Sequence, residues 1–574
     1  MNKRRKGIVG DKRILTLTLV ILCIAGIIIL RLFSLQILSG KKYKEIASGT
    51  HNISASLKAE RGSIFAKEFG NEDLYPVASN KTLYLVYAEP SKIQNKTLAV
   101  KVLSETLGID AVKLKGIILK NDPYEPIAHY ISKETIEKIK EYSVAGIGFE
   151  EEIKRYYPEK SFGGQILGFV GFDAVAQSGR YGLEGYFEKE LSGRSGYLSG
   201  EKDGFGRLIP WGNEVLEEAE NGVDLVLTVD RGIQAYICKK IEEAVLKYQA
   251  ESGTILVMDP HTGAVIGMCG SPDYDPNEYN KVKDQSVFTI PAILNQYEPG
   301  SVFKPITVAS ALDAGLISPE STYEDTGEVK IGVYTIKNSD LKANGVQTMV
   351  QVLEKSLNTG VIYIVDLLGA KKFRQYVENF GFGDLTGISL DKESTGDVSS
   401  LKKSGDIWSA TASYGQGILV TPLQMLNAFN ALVNGGSLMK PYIVEQIIYS
   451  NGNIDKIQPK IIRQVISSKT STIISGMLAS VVENGHAKQA AVEGYYVGGK
   501  TGTAQISKKG TVGYEEDKKI ATFVGIAPAS NPRFSVLVRL DNPEAAEWAS
   551  NSAAPVFRDI AQYILNYYHV PPER

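Results

Sequence analysis

Cysteine and histidine are the scarcest reactive residues in this sequence. Three cysteines, Cys23, Cys238 and Cys269, in 574 residues make no disulfide framework. The five histidines, His51, His129, His261, His486 and His569, never pair at ligand spacing with one another or with a cysteine. That argues against a zinc site, and nothing else in the chain implies a metal or other cofactor. An excess of charge of either sign is also missing. Lys and Arg number 63 against 65 Asp and Glu, a net charge of −2, which argues against nucleic acid as the main partner. There is no internal repeat, low-complexity tract or long linker. What is present is the composition of a folded protein, 43% hydrophobic and 22% charged. The chain is too long for one ordinary core, so two or three domains are expected.

One apolar run stands apart. Residues 14–30 read "ILTLTLVILCIAGIIIL", and the run extends past Arg31, whose side chain can snorkel, to Leu38. That length spans a bilayer. Before it lie Lys3, Arg4, Arg5, Lys6, Lys12 and Arg13 against a single acid, Asp11. The positive-inside bias keeps residues 1–13 as a cytoplasmic tail and places the bulk of the chain outside. A cleaved signal peptide is the rival reading. The run exceeds a usual h-region, no A-x-A-like site follows it, and a retained anchor at 14–38 is expected. A buried core helix would not carry so basic a flank.

Residues 39–225 are mixed and rather polar. They read as short strands ("KTLYLVYAEP"), amphipathic helices ("KETIEKIKEY") and glycine-rich connections near Gly163, Gly193 and Gly204. From about residue 226 to 574 the texture changes. The strand "VDLVLTVD" leads into a helix with 3.6-residue apolar spacing, and "GTILVMD-PHTG-AVIGMCG" reads as a hairpin. Near the end, "GGKTGTAQI", "IATFVGIAPA" and "FSVLVRLDN" read as three strands, and "APVFRDIAQYILNYY" as a final helix. Strands at both ends around a helical middle predict an α+β domain whose sheet draws on both ends of the segment. One helix start is well marked: Thr421 as N-cap, Pro422 at N1 and Gln424 at N3 form a capping box just after the loop "YGQG" at 414–417.

The stretch "NQYEPGSVFKPIT" combines a breaker, Pro299-Gly300, with Ser301 and Lys304. Residues at i and i+3 share a helix face. Pro305 would clash with the carbonyl of Ser301 inside a helix, so Ser301 must sit in the first turn or just before it. A hydroxyl there lies near unpaired backbone N–H groups and positive dipole potential, the ingredients of an oxyanion hole. A lysine buried beside it could lose its proton and act as base. The spacing alone is weak. Ser39, Ser199, Ser339, Ser389, Ser399, Ser400 and Ser437 also begin S-x-x-K, and for each a solvated Ser and Lys is the default reading. Corroboration comes from the single S-x-N of the chain, Ser356 and Asn358, and its single K-T-G, Lys500, Thr501 and Gly502, in that order after Ser301.

The ordered triple is the signature of penicillin-binding proteins and serine β-lactamases. Here the sequence resembles a class B, monofunctional penicillin-binding protein of the division and sporulation type. The resemblance covers nearly the whole chain. "GVDLVLTVDRGIQ", "MDPHTGAVIGMCGSPDYDPN", "GFGDLTGISL", "ASYGQGILVTPLQ" and "AAPVF" look like family blocks in family order. "RGSIF", "RYYP" and "GLEGYFEKELSGRSG" look like weaker motifs of an N-terminal pedestal of the dimerisation type, 39–225, below a transpeptidase domain, 226–574. One departure is Ala66-Lys67 where the family usually shows Asp-Arg, which puts the local salt-bridging of the pedestal, and a partner contact there, in doubt. Leu357 in the middle of S-x-N departs from the β-lactamase pattern but is ordinary for class B.

The resemblance implies an antiparallel sheet flanked by helices and a set of roles. Ser301 is the nucleophile and Lys304 its base, the latter depressed by burial and by Lys500. Ser356 relays the proton to the leaving amine. Asn358 binds the peptide amide. Lys500, Thr501 and Thr503 bind the terminal carboxylate beside Gly502, and the N–H groups of Ser301 and Thr503 form the oxyanion hole. The implied activity is peptidoglycan DD-transpeptidation of D-Ala-D-Ala stem peptides, with β-lactams as covalent inhibitors and a SEDS-type membrane glycan polymerase as partner. Hydrolysis by a carboxypeptidase or β-lactamase is the first alternative. A non-catalytic β-lactam sensor or scaffold is the second, disfavoured by the short cytoplasmic tail.

Overall fold

The structure, a computed structural model, describes residues 9–39, 52–120, 122–160, 162–172, 177–201, 215–507 and 513–574. Lys3, Arg4, Arg5 and Lys6 of the basic flank, and the connection near Gly204, lie outside these residues. The chain divides into two compact units, one formed by Met1–Glu60 with Gly193–Gly222, the other by Arg61–Ser192 with Val223–Arg574.

In the first unit, a helix over Val9–Phe33 passes into one π-helical turn, Ser34–Leu38. Ile14–Leu38 is the one helix among the described residues long and apolar enough to cross a membrane, and none of it is buried against protein. It fits a single-pass anchor. The unit also holds a three-stranded antiparallel sheet of Asn52–Leu57, Gly196–Glu201 and Val215–Glu217, with Gly196–Glu201 in the middle.

The second unit begins with a pedestal of strands and helices. The long strand Asn71–Ala88 pairs with Ile64–Glu68, Glu125–Ile131 and Ile147–Tyr156. Helices Lys96–Leu107, Ala111–Ile118 and Lys133–Glu141 bury a separate small core with Val86, Leu103, Ile118 and Ile136 at its centre. The three motifs of the pedestal meet in one buried ion cluster. Glu184, fully buried, takes Arg155 at 2.6 Å and Arg61 at 2.5 Å, and Arg61 also reaches Glu188 at 2.7 Å. Burial pushes the Glu184 carboxyl up, but the two guanidiniums outweigh it and hold the acid below its usual range. At Ala66-Lys67, Ala66 is buried and Lys67 keeps a local ion pair, with Glu445 at 2.7 Å.

Strand Asp224–Asp230 lies parallel to Ile64–Glu68 and antiparallel to Val444–Ile448, so it joins pedestal and catalytic parts in one sheet. Asp230 then caps helix α1 (Arg231–Tyr248) by accepting from the Ile233 N–H at 2.8 Å. The central sheet is antiparallel: β1 (Ser252–Met258), β2 (Val265–Ser271), β3 (Gly498–Ser507), β4 (Tyr514–Ala527) and β5 (Phe534–Asp541) stand in the order β2-β1-β5-β4-β3. It draws on both ends of the segment, as the sequence predicts. Helix α1 and the last helix cover one face. On the other side lie α2 (Lys304–Asp313), α3 (Asn358–Leu368), α4 (Pro422–Val433) and α5 (Ser468–Glu483), of which α4 and α5 touch the sheet and α3 packs on α2; the last helix is α6 (Ala553–Tyr567). Every residue of α4 is buried, and its capping box from Thr421 and Gln424 is formed. Its polar side chains are bonded inside the core: Gln424 donates to the Asp384 and Thr395 carbonyls and Asn427 to the Met439 carbonyl. Helix α2 packs against α3, α4 and α5, which buries it from Lys304 through Leu312.

The cysteines depart from the sequence reading in one respect. Cys238 on α1 and Cys269 on β2 form a disulfide, a single staple whose 31-residue separation gave no recognisable spacing.

Candidate active site

Ser301 sits just before the helix, the second of the two places that Pro305 allows it. Gly300–Phe303 form a 3₁₀ turn, and α2 begins at Lys304 with Pro305 in its first turn. Gly300 is left-handed (φ +58) and its N–H donates to the carbonyl of Gly415 at 3.0 Å. A Cβ on Gly415 would lie 2.3 Å from the Gly300 carbonyl oxygen, so the "YGQG" loop must be glycine at that point. Glu298, buried, accepts from the N–H of Gly417 at 3.1 Å and from Tyr514 at 3.2 Å, fixing the same loop to β4. Burial raises its carboxyl above the ordinary range.

Lys304 lies in the core beneath the turn, with no exposed surface. Its Nζ donates to the Ser356 carbonyl at 2.5 Å and to Ser356 Oγ at 3.2 Å. Ser356 can present both atoms because of its backbone. It is left-handed (φ +55) after helix Met349–Glu354. Its N–H donates to Leu353 O and the next N–H, of Leu357, to Val352 O. This is a Schellman stop with serine at the position glycine usually fills. Helix α3 restarts two residues later at Asn358. Asn358 Nδ2 donates to the Lys337 carbonyl at 2.8 Å, which leaves Oδ1 as the acceptor of that amide.

The K-T-G residues lie on β3, the edge strand. Alternation along the strand separates their environments. Thr501 and Thr503 line the cleft, whereas Lys500 and Gly502 are buried. A Cβ on Gly502 would meet Pro299 O at 2.9 Å and Val302 Cγ1 at 3.0 Å, so glycine is what lets the strand seat on the Ser301 turn. Lys500 donates to the Thr501 carbonyl at 3.1 Å and has no exposed surface.

Among the described residues neither buried ammonium has a carboxylate partner, so holding both charged is unfavourable. Burial, and then repulsion from Lys500, pushes Lys304 well below the ordinary lysine range. Burial alone pushes Lys500 down to about 7. A neutral Lys304 is competent to accept a proton from a hydroxyl.

These residues surround a cleft of about 720 Å³. Ser301, Ser356, Asn358, Thr501 and Thr503 line it, with Lys304, Lys500 and Gly502 behind its wall. All eight residues singled out from the sequence therefore converge. Others on the lining carried no sequence signal: Lys337, Asp340, His486 and Trp548. Tyr414 and Gln416 also line the cleft, and only the capping box that follows them pointed to their place.

The family model of the penicillin-binding protein transpeptidase domain matches residues 253–562, more than half of the chain. The chain belongs to the class B penicillin-binding proteins. A second model, the penicillin-binding protein dimerisation domain, matches residues 56–227. Stage V sporulation protein D of Bacillus subtilis is 34% identical over 580 residues, covering 100% of this penicillin-binding protein and 88% of its own length. Peptidoglycan D,D-transpeptidase FtsI of Escherichia coli is 29% identical over 508 residues, covering 87% of this chain and 83% of its own. Among solved structures, penicillin-binding protein 3 of Mycobacterium tuberculosis in complex with aztreonam is 26% identical with a TM-score of 0.70, covering 91% of this chain and 98% of that one. Penicillin-binding protein 2X of Streptococcus thermophilus shares the fold with a TM-score of 0.78 at 22% identity, over 90% of this chain and 81% of its own.

Proposed function

We propose that this class B penicillin-binding protein is a membrane-anchored, serine-type peptidoglycan D,D-transpeptidase that β-lactams inhibit covalently. One observation carries the reading: a fully buried Lys304 is hydrogen-bonded to Ser356 one turn from Ser301, which lines the cleft. Ser301 Oγ attacks the carbonyl of the penultimate D-Ala of a stem peptide while neutral Lys304 takes its proton. The N–H groups of Ser301 and Thr503 hold the oxyanion. Ser356, bonded to Lys304, passes the proton to the leaving amine, and the terminal D-Ala departs. An amine from a neighbouring stem then attacks the acyl-enzyme and frees Ser301. Asn358 accepts from the peptide amide. Thr501 and Thr503 hold the terminal carboxylate on β3, which Gly502 lets approach the turn, and Lys500, behind the wall, binds it through its charge from beneath. A bound carboxylate draws the Lys500 proton back, since opposite charge favours the ammonium form.

The same reading assigns residues 1–13 to a cytoplasmic tail, 14–38 to the anchor, 39–225 to the pedestal and 226–574 to the transpeptidase domain. The basic flank before the anchor supports this orientation. So does the Cys238–Cys269 disulfide, which belongs in an oxidising compartment. The glycan strands would come from a SEDS-type polymerase in the same membrane.

Fluorescent penicillin should label the protein, and Ser301→Ala should abolish labelling; a variant that still labels removes the nucleophile assignment. Donor and acceptor stem peptides should give crosslinked product. If only the trimmed donor forms, the enzyme is a carboxypeptidase.

A further inference from the structure

Helix α3 has no cap of its own. Leu357, at its N-cap, offers no side-chain acceptor, and the first turn belongs to the S-x-N motif. The cap comes from 20 residues upstream. Asn338 Oδ1 accepts from the N–H of Asn358 at 2.9 Å, the N–H of Thr359 at 3.2 Å and Thr359 Oγ1 at 3.2 Å. Asn338 can face that way only because its other end is fixed. Its Nδ2 donates to both oxygens of Asp325, at 2.9 and 3.0 Å. Asp325 is 1% exposed, as is Asn338. It also accepts from the N–H of Gly327 (3.0 Å), the N–H and Nδ2 of Asn344 (3.0 and 2.8 Å) and Thr359 Oγ1 (2.8 Å). Tyr323 closes the cluster by bonding Thr359 at 3.0 Å.

This cluster is the base of a small projecting element. Strands Thr322–Asp325 and Gly345–Thr348 form its stalk, and Glu328–Ile331 with Tyr334–Lys337 its hairpin. The last hairpin residue, Lys337, gives the carbonyl that takes Asn358 Nδ2. One element thus holds both the backbone and the side-chain amide of Asn358.

We infer that Asn338, locked by Asp325, is a positioning residue of the acyl-transfer site that sets the direction of the Asn358 amide. The inference rests on the reading of Asn358 as the contact to the substrate's peptide amide. Without Asn338 the first turn of α3 loses its acceptor, and Asn358 loses the register that brings Nδ2 to Lys337 and Oδ1 to the cleft. Misplacement on the scale of an ångström is enough to slow acyl transfer by about tenfold to a hundredfold.

The polarity of the pair gives a signature that a merely structural role would not produce. In Asn338→Asp two carboxylates face each other at hydrogen-bond distance. They can be accommodated only by sharing a proton, so the pKa of the pair rises. The cap is kept while the shared proton is present and lost as the pH rises through that value. Exchanging the two residues, Asp325→Asn with Asn338→Asp, leaves one amide and one carboxylate and should remove the added pH dependence, at a lower rate overall because the new amide turns its NH₂ toward the N–H of Gly327 or Asn344.

The test measures second-order acylation rates of the full chain by penicillin across pH, with melting temperature as a control for folding. Asn358→Ala and Asn338→Ala should each slow acylation by about tenfold or more, and the double variant should be no slower than Asn358→Ala alone. Relative to the unaltered protein, Asn338→Asp should lose rate as pH rises, and the exchanged pair should not. Wild-type rates in Asn338→Ala with a slow Asn358→Ala overturn the inference, as does full additivity of the two. A flat ratio for Asn338→Asp also overturns it, and this arm stands if Asn338→Ala fails to fold. If Asn358→Ala acylates at the unaltered rate, the reading of Asn358 fails and takes this inference with it.

Discussion

Lys500 is the residue where stability and function should be most visibly opposed. It has no exposed surface, donates to one carbonyl at 3.1 Å, and burial lowers its pKa from the usual 10.5 to about 7. The sign follows directly. The unfolded chain holds this proton up to pH 10.5 and the folded chain releases it near 7, so the residue opposes folding at low pH and the cost is relieved as pH rises. Integrating between the two values gives a cost of about 4 kcal/mol at pH 7 and about 2 kcal/mol at pH 9. Methionine has nearly the same shape and no charge. Lys500→Met gives up the bond to the Thr501 carbonyl and a long one to Thr501 Oγ1 at 3.5 Å, together worth about 1 kcal/mol, and removes the cost. The variant should therefore be more stable than the parent by about 3 kcal/mol at pH 7, with the difference shrinking by about 1 kcal/mol per pH unit up to pH 9. Denaturant or thermal unfolding at the two pH values measures this. Penicillin labelling should meanwhile fall sharply, because the charge proposed to bind the carboxylate is gone. A Lys500→Met that is less stable at pH 7, or a difference that stays constant with pH, would refute the buried, easily deprotonated lysine.

The acylation rate of the unaltered protein should fall on the acid side as Lys304 takes a proton, with a limb far below that of an ordinary lysine, because burial and Lys500 both lower it. Affinity for the substrate carboxylate should weaken as pH rises through about 7, where Lys500 loses its charge; pre-steady-state kinetics separates the two effects. Glu184→Ala leaves Arg155 and Arg61, 4% and 12% exposed at their side chains, without their shared partner. That should cost about 3–5 kcal/mol, seen as a lower melting temperature, with acylation per folded molecule unchanged.

The site was legible in the sequence wherever chemistry demands a residue type at a fixed separation. Ser301 and Lys304 are one turn apart, S-x-N spans a single helix start, and K-T-G spans a strand edge. Those separations are local, and local geometry is what a sequence encodes directly. Pro305 and the Thr421 box located helix starts for the same reason, though the proline did not reveal that Ser301 would sit in a 3₁₀ turn and not in the helix itself. What was not legible depends on distant parts of the chain meeting. Asp325 and Asn338 have no motif; they matter because one stalk and its hairpin meet the start of α3. Cys238 and Cys269 pair because α1 lies across β2. The Arg61, Arg155 and Glu184 cluster lay in three recognised motifs, but their convergence on one carboxylate is a property of the fold.

Strand β3 forms the rim of the central sheet. An open rim offers backbone donors and acceptors to any extended chain and is ordinarily a hazard for self-association. Here the Ser301 turn abuts it at Gly502, and Thr501, Thr503 and Gln505 face the cleft. The rim is thereby narrowed to a short slot. A few residues of straightened backbone fit such a slot by the same pairing that adds a strand to a sheet. Helical or folded segments of proteins cannot present that shape, so the cleft selects by chain conformation before any side chain is read.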